Sequence, residues 1–228
     1  MTRVDTRPPP PPDAPDHADS RPWTLVLPLK PLALAKSRLA RATGPLRPGL
    51  ALAFAVDTVA AALRCAEVAR LLVVTDDPLA AAELAALGAL VVPDEPGAGL
   101  NAALRHGAGV ARARHGAGAV AAMSADLPAL RPLELGRALR AAAAHPRAFL
   151  ADTQGVGTTL LTAGPGVALA PAFGGASRLR HAAAGASELT LSDVPSLRRD
   201  VDTPQDLRVA LDLGTGPRTT ALSALVGR

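Results

Sequence analysis

From Trp23 onward, short apolar runs alternate with longer stretches whose apolar residues recur in a helical period. The short runs, rich in Val and Leu, predict strands near Thr24–Leu29, Arg70–Thr75, Ala89–Val92, Ala119–Met123 and Ala148–Ala151. Between them, Ala-, Leu- and Arg-rich stretches predict helices near Pro48–Ala66, Pro78–Leu87, Leu100–Arg114 and Pro132–Ala144. Such alternation is the signature of parallel βα units, an α/β fold with helices covering both faces of a sheet.

Beyond Ala151 the pattern changes. "GTTLLTAGPGVALAPAFGGASRLRHAAAGA" carries one strand, a Gly/Pro-rich loop and a short helix, and "ELTLS" and "SLRRDV" predict two further strands. This half is expected to add a mixed-sheet insertion to the parallel core. "DTPQDLRVALDLG" predicts a closing helix with Asp202 or Thr203 as N-cap, Pro204 in its first turn and Gly214 as its stop. Residues 1–21 are Pro-rich without an apolar stretch, which predicts a disordered, solvated tail and not a signal peptide. Residues 214–228 are polar or small and are expected to fray. Residues 22–213 are thus expected to form a single domain.

Composition narrows the function. With 228 residues, 49% of them hydrophobic, the chain can bury a sizeable core. Aromatics are only 2% and the net charge is a dispersed +4, so nucleic acid is excluded as a partner, whereas small anions remain. No apolar run is read as reaching membrane-spanning length, so no membrane partner is expected. The single cysteine, Cys65, reads as a buried thiol in a reducing cytoplasm. His17, His106, His115, His145 and His181 lack metal-ligand spacing and are read as surface residues or helix ends. Without a Gly-x-Ser-x-Gly elbow, a Walker A loop or a Rossmann fingerprint, triad chemistry, P-loop hydrolysis and hydride transfer have no support.

Ligands in open α/β sheets sit at the carboxyl ends of strands, so candidate chemistry is sought there. After strand one, "LPLKPLALAKSRLA" sets Lys30, Lys36 and Arg38 among prolines and without a glycine. The prolines are expected to hold this chain extended, and cationic side chains, not a glycine nest of backbone amides, would meet a phosphate. Asp76 and Asp77 read as an Asp-Asp-Pro turn. Asp126 in "SADLPAL" either faces the ligand crevice or caps the next helix. Asp200 in "RRDVDTPQDL", brought beside Asp126, would complete a Mg²⁺ site, and Asp202 reads as a helix cap. "FGGASRLRHAAAG", with Gly174 and Ser177, is an anion loop assisted by Arg178 or an ordinary Gly-Gly loop with a serine cap. "DTQGVGTT" adds Asp152 and the hydroxyls of Thr158 and Thr159, and in "DEPGAGLNAAL" Gly97, Gly99 and Asn101 could read a base or ribose.

Taken in order, "LPLKPLALAKSRLA", "VVTDD", "DEPGAGLNAAL", "SADLPAL", "GVGTTLLTA", "FGGASRLRHAAAGA" and "LRRDVDTPQDL" resemble the CofC/FbiD guanylyltransferases of deazaflavin coenzyme F-420 biosynthesis, from about Trp23 to Leu213. The resemblance implies a nucleotide-diphospho-sugar-transferase-like (GT-A type) three-layer sandwich with a mixed, mainly parallel sheet. It also implies transfer of GMP from GTP to a small phosphorylated three-carbon acid, in the cytoplasm, with possible contact to the next enzyme of the pathway. By motif, Thr159, Gly174 and Ser177 match the phospho-acid-binding positions, and Asp126 with Asp200 the Mg²⁺ carboxylates. Lys36, preferred over Lys30, joins Asp126 and Asp200 as a catalytic residue; Lys30, Lys36, Arg38, Gly97 and Asn101 are the nucleotide-binding candidates. Residue usage typical of GC-rich coding favours the bacterial acceptor, phosphoenolpyruvate, over 2-phospho-L-lactate or 3-phosphoglycerate. A molybdopterin or sugar-phosphate nucleotidyltransferase is the alternative.

Overall fold

The computed structural model describes residues 23–226, so the Pro-rich stretch 1–21 and His17 lie outside the described residues. One sheet contains β1 (Trp23–Pro28), β2 (Val68–Val74), β3 (Leu90–Val92), β4 (Val120–Met123), β5 (Arg147–Ala151), β6 (Thr158–Ala163) and β7 (Ser187–Glu188). Their order is β3-β2-β1-β4-β6-β5-β7. Only β6 runs against its neighbours, antiparallel to β4 and to β5. The other pairs are parallel, so the sheet is mixed and mainly parallel, as expected.

The helices are α1 (Ala40–Thr43), α2 (Arg47–Leu63), α3 (Pro78–Ala86), α4 (Leu100–His115), α5 (Pro132–Ala142), α6 (Ser177–Ala183), α7 (Pro204–Leu213) and α8 (Pro217–Ser223). The central strands are apolar on both faces because helices cover both. Leu25, Leu27, Leu71, Val73 and Met123 point into one core with α2 and α5. Val26, Leu72, Val74 and Val120 point into the other with α4. At Gly107, α4 comes so close to the sheet that a Cβ would stand 2.6 Å from Val26 Cγ1 and 2.7 Å from Val74 Cγ2. Valine methyls are stiff about χ1 and cannot swing aside. Gly107→Ala is therefore expected to lower the unfolding free energy by about 1–3 kcal/mol. Urea denaturation reads this directly, and a variant as stable as the wild type would mean that α4 lifts freely.

Three expectations need correction. "SLRRDV" is not a strand: Pro195–Leu197 form a 3₁₀ turn, and Glu134 of α5 accepts from the Ser196 backbone N–H at 2.8 Å and hydroxyl at 2.7 Å. "ELTLS" contributes only the end of the two-residue edge strand β7; Leu189, Val194 and Leu197 nevertheless enter the core, since burial does not require strand pairing. Residues 214–226 do not fray, because Asp57 of α2 accepts from the backbone N–H of Arg218 at 3.2 Å and of Thr219 at 2.7 Å. That carboxylate docks the first turn of α8, with Thr219 fully buried and Leu222 packed against the α2–α7 core.

The stretch Ser37–Leu63 is long and apolar enough to cross a bilayer by length and composition, against the expectation of no such run. It is broken at Gly44 and Pro45, and its apolar residues Leu50, Phe54, Ala55 and Val59 lie in the protein's own cores.

Candidate active site

A cleft of about 610 Å³ opens at the carboxyl ends of β1 and β4. Lys30, Lys36 and Arg38 reach it from the loop after β1, Asp126 from the loop after β4, and Asp200 and Asp202 from the segment before α7. The crossover connections deliver these residues to one edge of the sheet although they are far apart in sequence.

At its centre, Lys36 Nζ donates to Asp126 Oδ2 and, at 2.8 Å, to Asp202 Oδ1. Asp126 meets the later segment through backbone: the Val201 N–H donates to the Asp126 carbonyl at 3.1 Å. The Asp126 loop is also tied to α2, where Thr58 Oγ1 accepts from the Leu127 N–H at 3.0 Å. Burial opposes the charge of Lys36, but Asp126 and Asp202 outweigh it and hold the ammonium pKa well above its ordinary range. Burial, reinforced by Asp126 and Asp202, pushes Asp200 up to about 7. Burial also works against ionised Asp202, but Lys36, with help from Arg38 and Lys30, holds its pKa below the usual carboxylate range. Lys36 hydrogen-bonds Asp126 and Asp202 but not Asp200, so the third carboxylate is crowded by two others without sharing their ammonium. Among the described residues, no group of three or more His, Cys, Asp or Glu side chains is arranged to hold a metal ion unaided.

The loop that carries Lys36 is not extended. Leu34 N–H donates to the Pro31 carbonyl at 2.8 Å, Ala35 N–H to Leu32 at 3.3 Å, and Lys36 adopts a left-handed conformation with φ 55° and ψ 41°. Asp77 accepts from the Leu32 N–H at 2.8 Å while capping α3, so the Asp-Asp-Pro turn is structural, as expected. The left-handed turn aims the Lys36 side chain back at Asp126. A non-glycine residue there stores local strain, which the two ion pairs offset. Asp202 does not cap α7, a role taken by Thr203 in a reciprocal box with Asp206. The overlooked signal for Asp202 was the Asp-Val-Asp spacing, which sends alternate side chains of an extended segment to the same side.

Gly174 and Ser177 border the cleft beside Thr158. Thr159 is fully buried and outside the lining, so Thr158 replaces it at the wall. Thr159 Oγ1 and Ser177 Oγ are both buried without a hydrogen-bond partner among the described residues. Asp152 shapes the neighbouring turn by accepting from Val156 and Gly157 N–H, each at 2.9 Å. Arg178 bonds Glu188 and the Gly155 carbonyl and does not line the cleft. Gly97 is exposed and outside the lining. Asn101 does not line the cleft either, because its amide is engaged with the Phe173 backbone: Nδ2 donates to the carbonyl at 3.1 Å, and Oδ1 accepts from the N–H at 2.8 Å. Neither residue is brought to the cleft as a base reader.

His181 is not a surface residue, being only 1% exposed, whereas His106, His115 and His145 are partly exposed. The Ala172 N–H donates to its Nε2 at 2.9 Å, which leaves the proton on Nδ1, 3.0 Å from Thr158 Oγ1. Burial, then the charges of Arg180 and Arg147, lower its pKa to about 4. The folded protein thus binds this proton less readily than the unfolded chain, and the stability due to neutral His181 is complete above about pH 6.5 and lost as pH falls towards 4. The expected loss is about 3 kcal/mol. Asp200, with its raised pKa, acts with the opposite sign in the same window. Comparing the urea stability of wild type and His181→Gln between pH 7 and 4 isolates the histidine, and parallel pH profiles would refute its contribution.

Cys65 is buried, as expected, and burial pushes its thiol up to about 11.

The model of the MobA-like NTP transferase domain matches residues 53–199. The chain is 69% identical over 202 residues to a phosphoenolpyruvate guanylyltransferase of Thermomonospora curvata, covering 89% of each chain. It is 66% identical over 203 residues to the phosphoenolpyruvate guanylyltransferase of Streptomyces coelicolor, covering 89% of this chain and 96% of that one. A solved structure described as a nucleotide-diphospho-sugar transferase from Desulfovibrio desulfuricans superposes with a TM-score of 0.64 at 20% identity, covering 89% of this chain and 94% of the other, and shares the fold. The sheet order, the cleft at its carboxyl edge and the sequence likeness agree: the chain is a nucleotidyltransferase that belongs to the MobA-like NTP transferases and, among them, to the CofC/FbiD family of phosphoenolpyruvate guanylyltransferases.

Proposed function

We propose that this protein transfers GMP from GTP to phosphoenolpyruvate in coenzyme F-420 biosynthesis, forming enolpyruvyl-2-diphospho-5'-guanosine and pyrophosphate in the cytoplasm. The observation that carries the reading is the high identity, over nearly the full length of both chains, to relatives that bear this activity in their names. A phosphate oxygen of phosphoenolpyruvate attacks the α-phosphorus of GTP. The bond from that phosphorus to the bridging oxygen breaks, and pyrophosphate leaves with the electron pair. The attacking oxygen is already ionised near neutral pH, so no general base is needed, in keeping with a cleft that His181 does not line.

The obstacle is charge, because nucleophile and triphosphate are both anionic. Asp126 and Asp200 suit a divalent cation, Mg²⁺ in our reading, since burial, reinforced by Asp126 and Asp202, disfavours the Asp200 charge and a cation beside it would restore that charge. When bound, that ion would supply electrostatic neutralisation of the phosphates. Two carboxylates are a sufficient protein contribution where phosphate oxygens and water fill the other positions. Lys30, Lys36 and Arg38 offset the charge of the β- and γ-phosphates. Gly174 and the unpartnered hydroxyl of Ser177 are assigned to the acid, with Thr158 in place of Thr159 beside them.

Pyrophosphate release from GTP with each candidate acid tests the proposal. Phosphoenolpyruvate should be turned over fastest. Faster turnover of 2-phospho-L-lactate or 3-phosphoglycerate would overturn the acceptor, and guanylylation of molybdopterin without activity on any of the acids would overturn the reaction.

A further inference from the structure

The segment before α6 has an unusual backbone. Gly174 and Gly175 have φ values of 94° and 46°, and residues 170–173 belong to no helix or strand. Every backbone N–H and carbonyl of Ala172 and Phe173 is nevertheless taken, and by side chains. Asn101 of α4 bonds both groups of Phe173. His181 Nε2 accepts from the Ala172 N–H, and Arg180 donates through Nε and Nη2 to the Ala172 carbonyl at 3.1 and 3.0 Å. Arg180 also donates to the Gly174 carbonyl. The His181 ring packs between Phe149 of the sheet and Phe173 of the loop, with centroids 5.8 and 5.1 Å away.

We infer that Asn101, His181 and Arg180 are positioning residues that clamp Ala172–Gly175 in the shape that receives the phosphorylated acid. The inference rests on the reading above that Gly174 and Ser177 meet the acid. A glycine pair with two positive φ values has many alternative conformations, and ordering it only on binding would weaken the acid. The clamp orders it beforehand, and Ser177 Oγ, buried and unpartnered at its end, is held ready for an incoming acceptor. α4 is anchored separately by Ala103, Leu104, Ala108 and Ala111 in the core, so removing the Asn101 amide leaves the helix in place.

The test is steady-state kinetics of the full chain by pyrophosphate release, with amide hydrogen exchange of residues 172–177. Asn101→Ala should raise the apparent KM for phosphoenolpyruvate about tenfold or more, with kcat within about threefold and the KM for GTP within about twofold. Exchange in 172–177 should quicken while the β1 and β2 amides keep their protection. The histidine is tested by a matched pair. In His181→Gln the side-chain carbonyl can still accept from Ala172 N–H, and the KM for the acid should stay within about threefold of wild type; His181→Asn is too short and should behave like Asn101→Ala. An unchanged KM in both Asn101→Ala and His181→Asn would overturn the clamp and leave the proposed function standing. Equal rises in both KM values with a matching loss of thermal stability would reduce these residues to general structural support and also overturn it. A wild-type enzyme inactive on phosphoenolpyruvate and on the other acids would overturn the proposed function, and the clamp with it.

Discussion

Asp126→Asn is expected to lower kcat for pyrophosphate release by about a hundredfold or more. Asparagine keeps the size of the side chain and leaves the Asp126 backbone, which accepts from Val201, untouched, so the loop after β4 should hold its course. What is lost is one carboxylate charge from a cluster whose crowded carboxylates suit it to a divalent cation. The same change removes one partner of Lys36 and one of the charges that raise Asp200, whose pKa should fall from about 7 towards the ordinary range. The variant should need more metal for half-maximal activity and unfold at nearly the wild-type temperature. A kcat within tenfold of wild type at saturating Mg²⁺ would remove Asp126 from the reaction.

Lys36→Met comes second. In the nucleotide-free protein the ammonium bridges Asp126 and Asp202, and with GTP in the cleft we assign it to the triphosphate. Methionine keeps the unbranched apolar stem of lysine without the ammonium, so kcat/KM for GTP should fall by about a hundredfold, of the size seen when one electrostatic stabiliser is lost. The KM for phosphoenolpyruvate should change little, because Lys36 lies on the loop after β1 whereas Gly174 and Ser177 lie before α6. A normal response to GTP would return Lys36 to a purely structural role in its left-handed turn.

The two variants bear on residues legible in the chain for different reasons. Asp126 was readable because it lies just past the buried run of β4, where strand ends point into the ligand crevice. Lys36 was readable as a cation in a phosphate-facing loop, but its partners were not. The prolines at 28 and 31 suggested an extended chain, whereas the turn closes through Pro31, Leu32 and the distant Asp77. The candidates for base recognition failed similarly. Asn101 opens a helix after a Gly-rich loop, as a base reader could, but Phe173, 72 residues away, takes both ends of its amide.

By itself the sequence determined the βα rhythm, the two-faced burial of the central strands, the start of α7 at Pro204 with its stop at Gly214, and the family motifs. These depend on side-chain periodicity and on contacts within a few residues, which the order of residues specifies directly. Only the tertiary structure decided that Asp202 pairs with Lys36, that His181 is buried between Phe149 and Phe173, that Asp57 docks α8, and that Thr158 instead of Thr159 walls the cleft. Each of those involves at least one partner more than about twenty residues away in the chain or, for Thr158, is a matter of which way a strand end turns its side chains. Local pattern carries no information on which distant polar group will satisfy a buried one, and that match is made only when the layers pack.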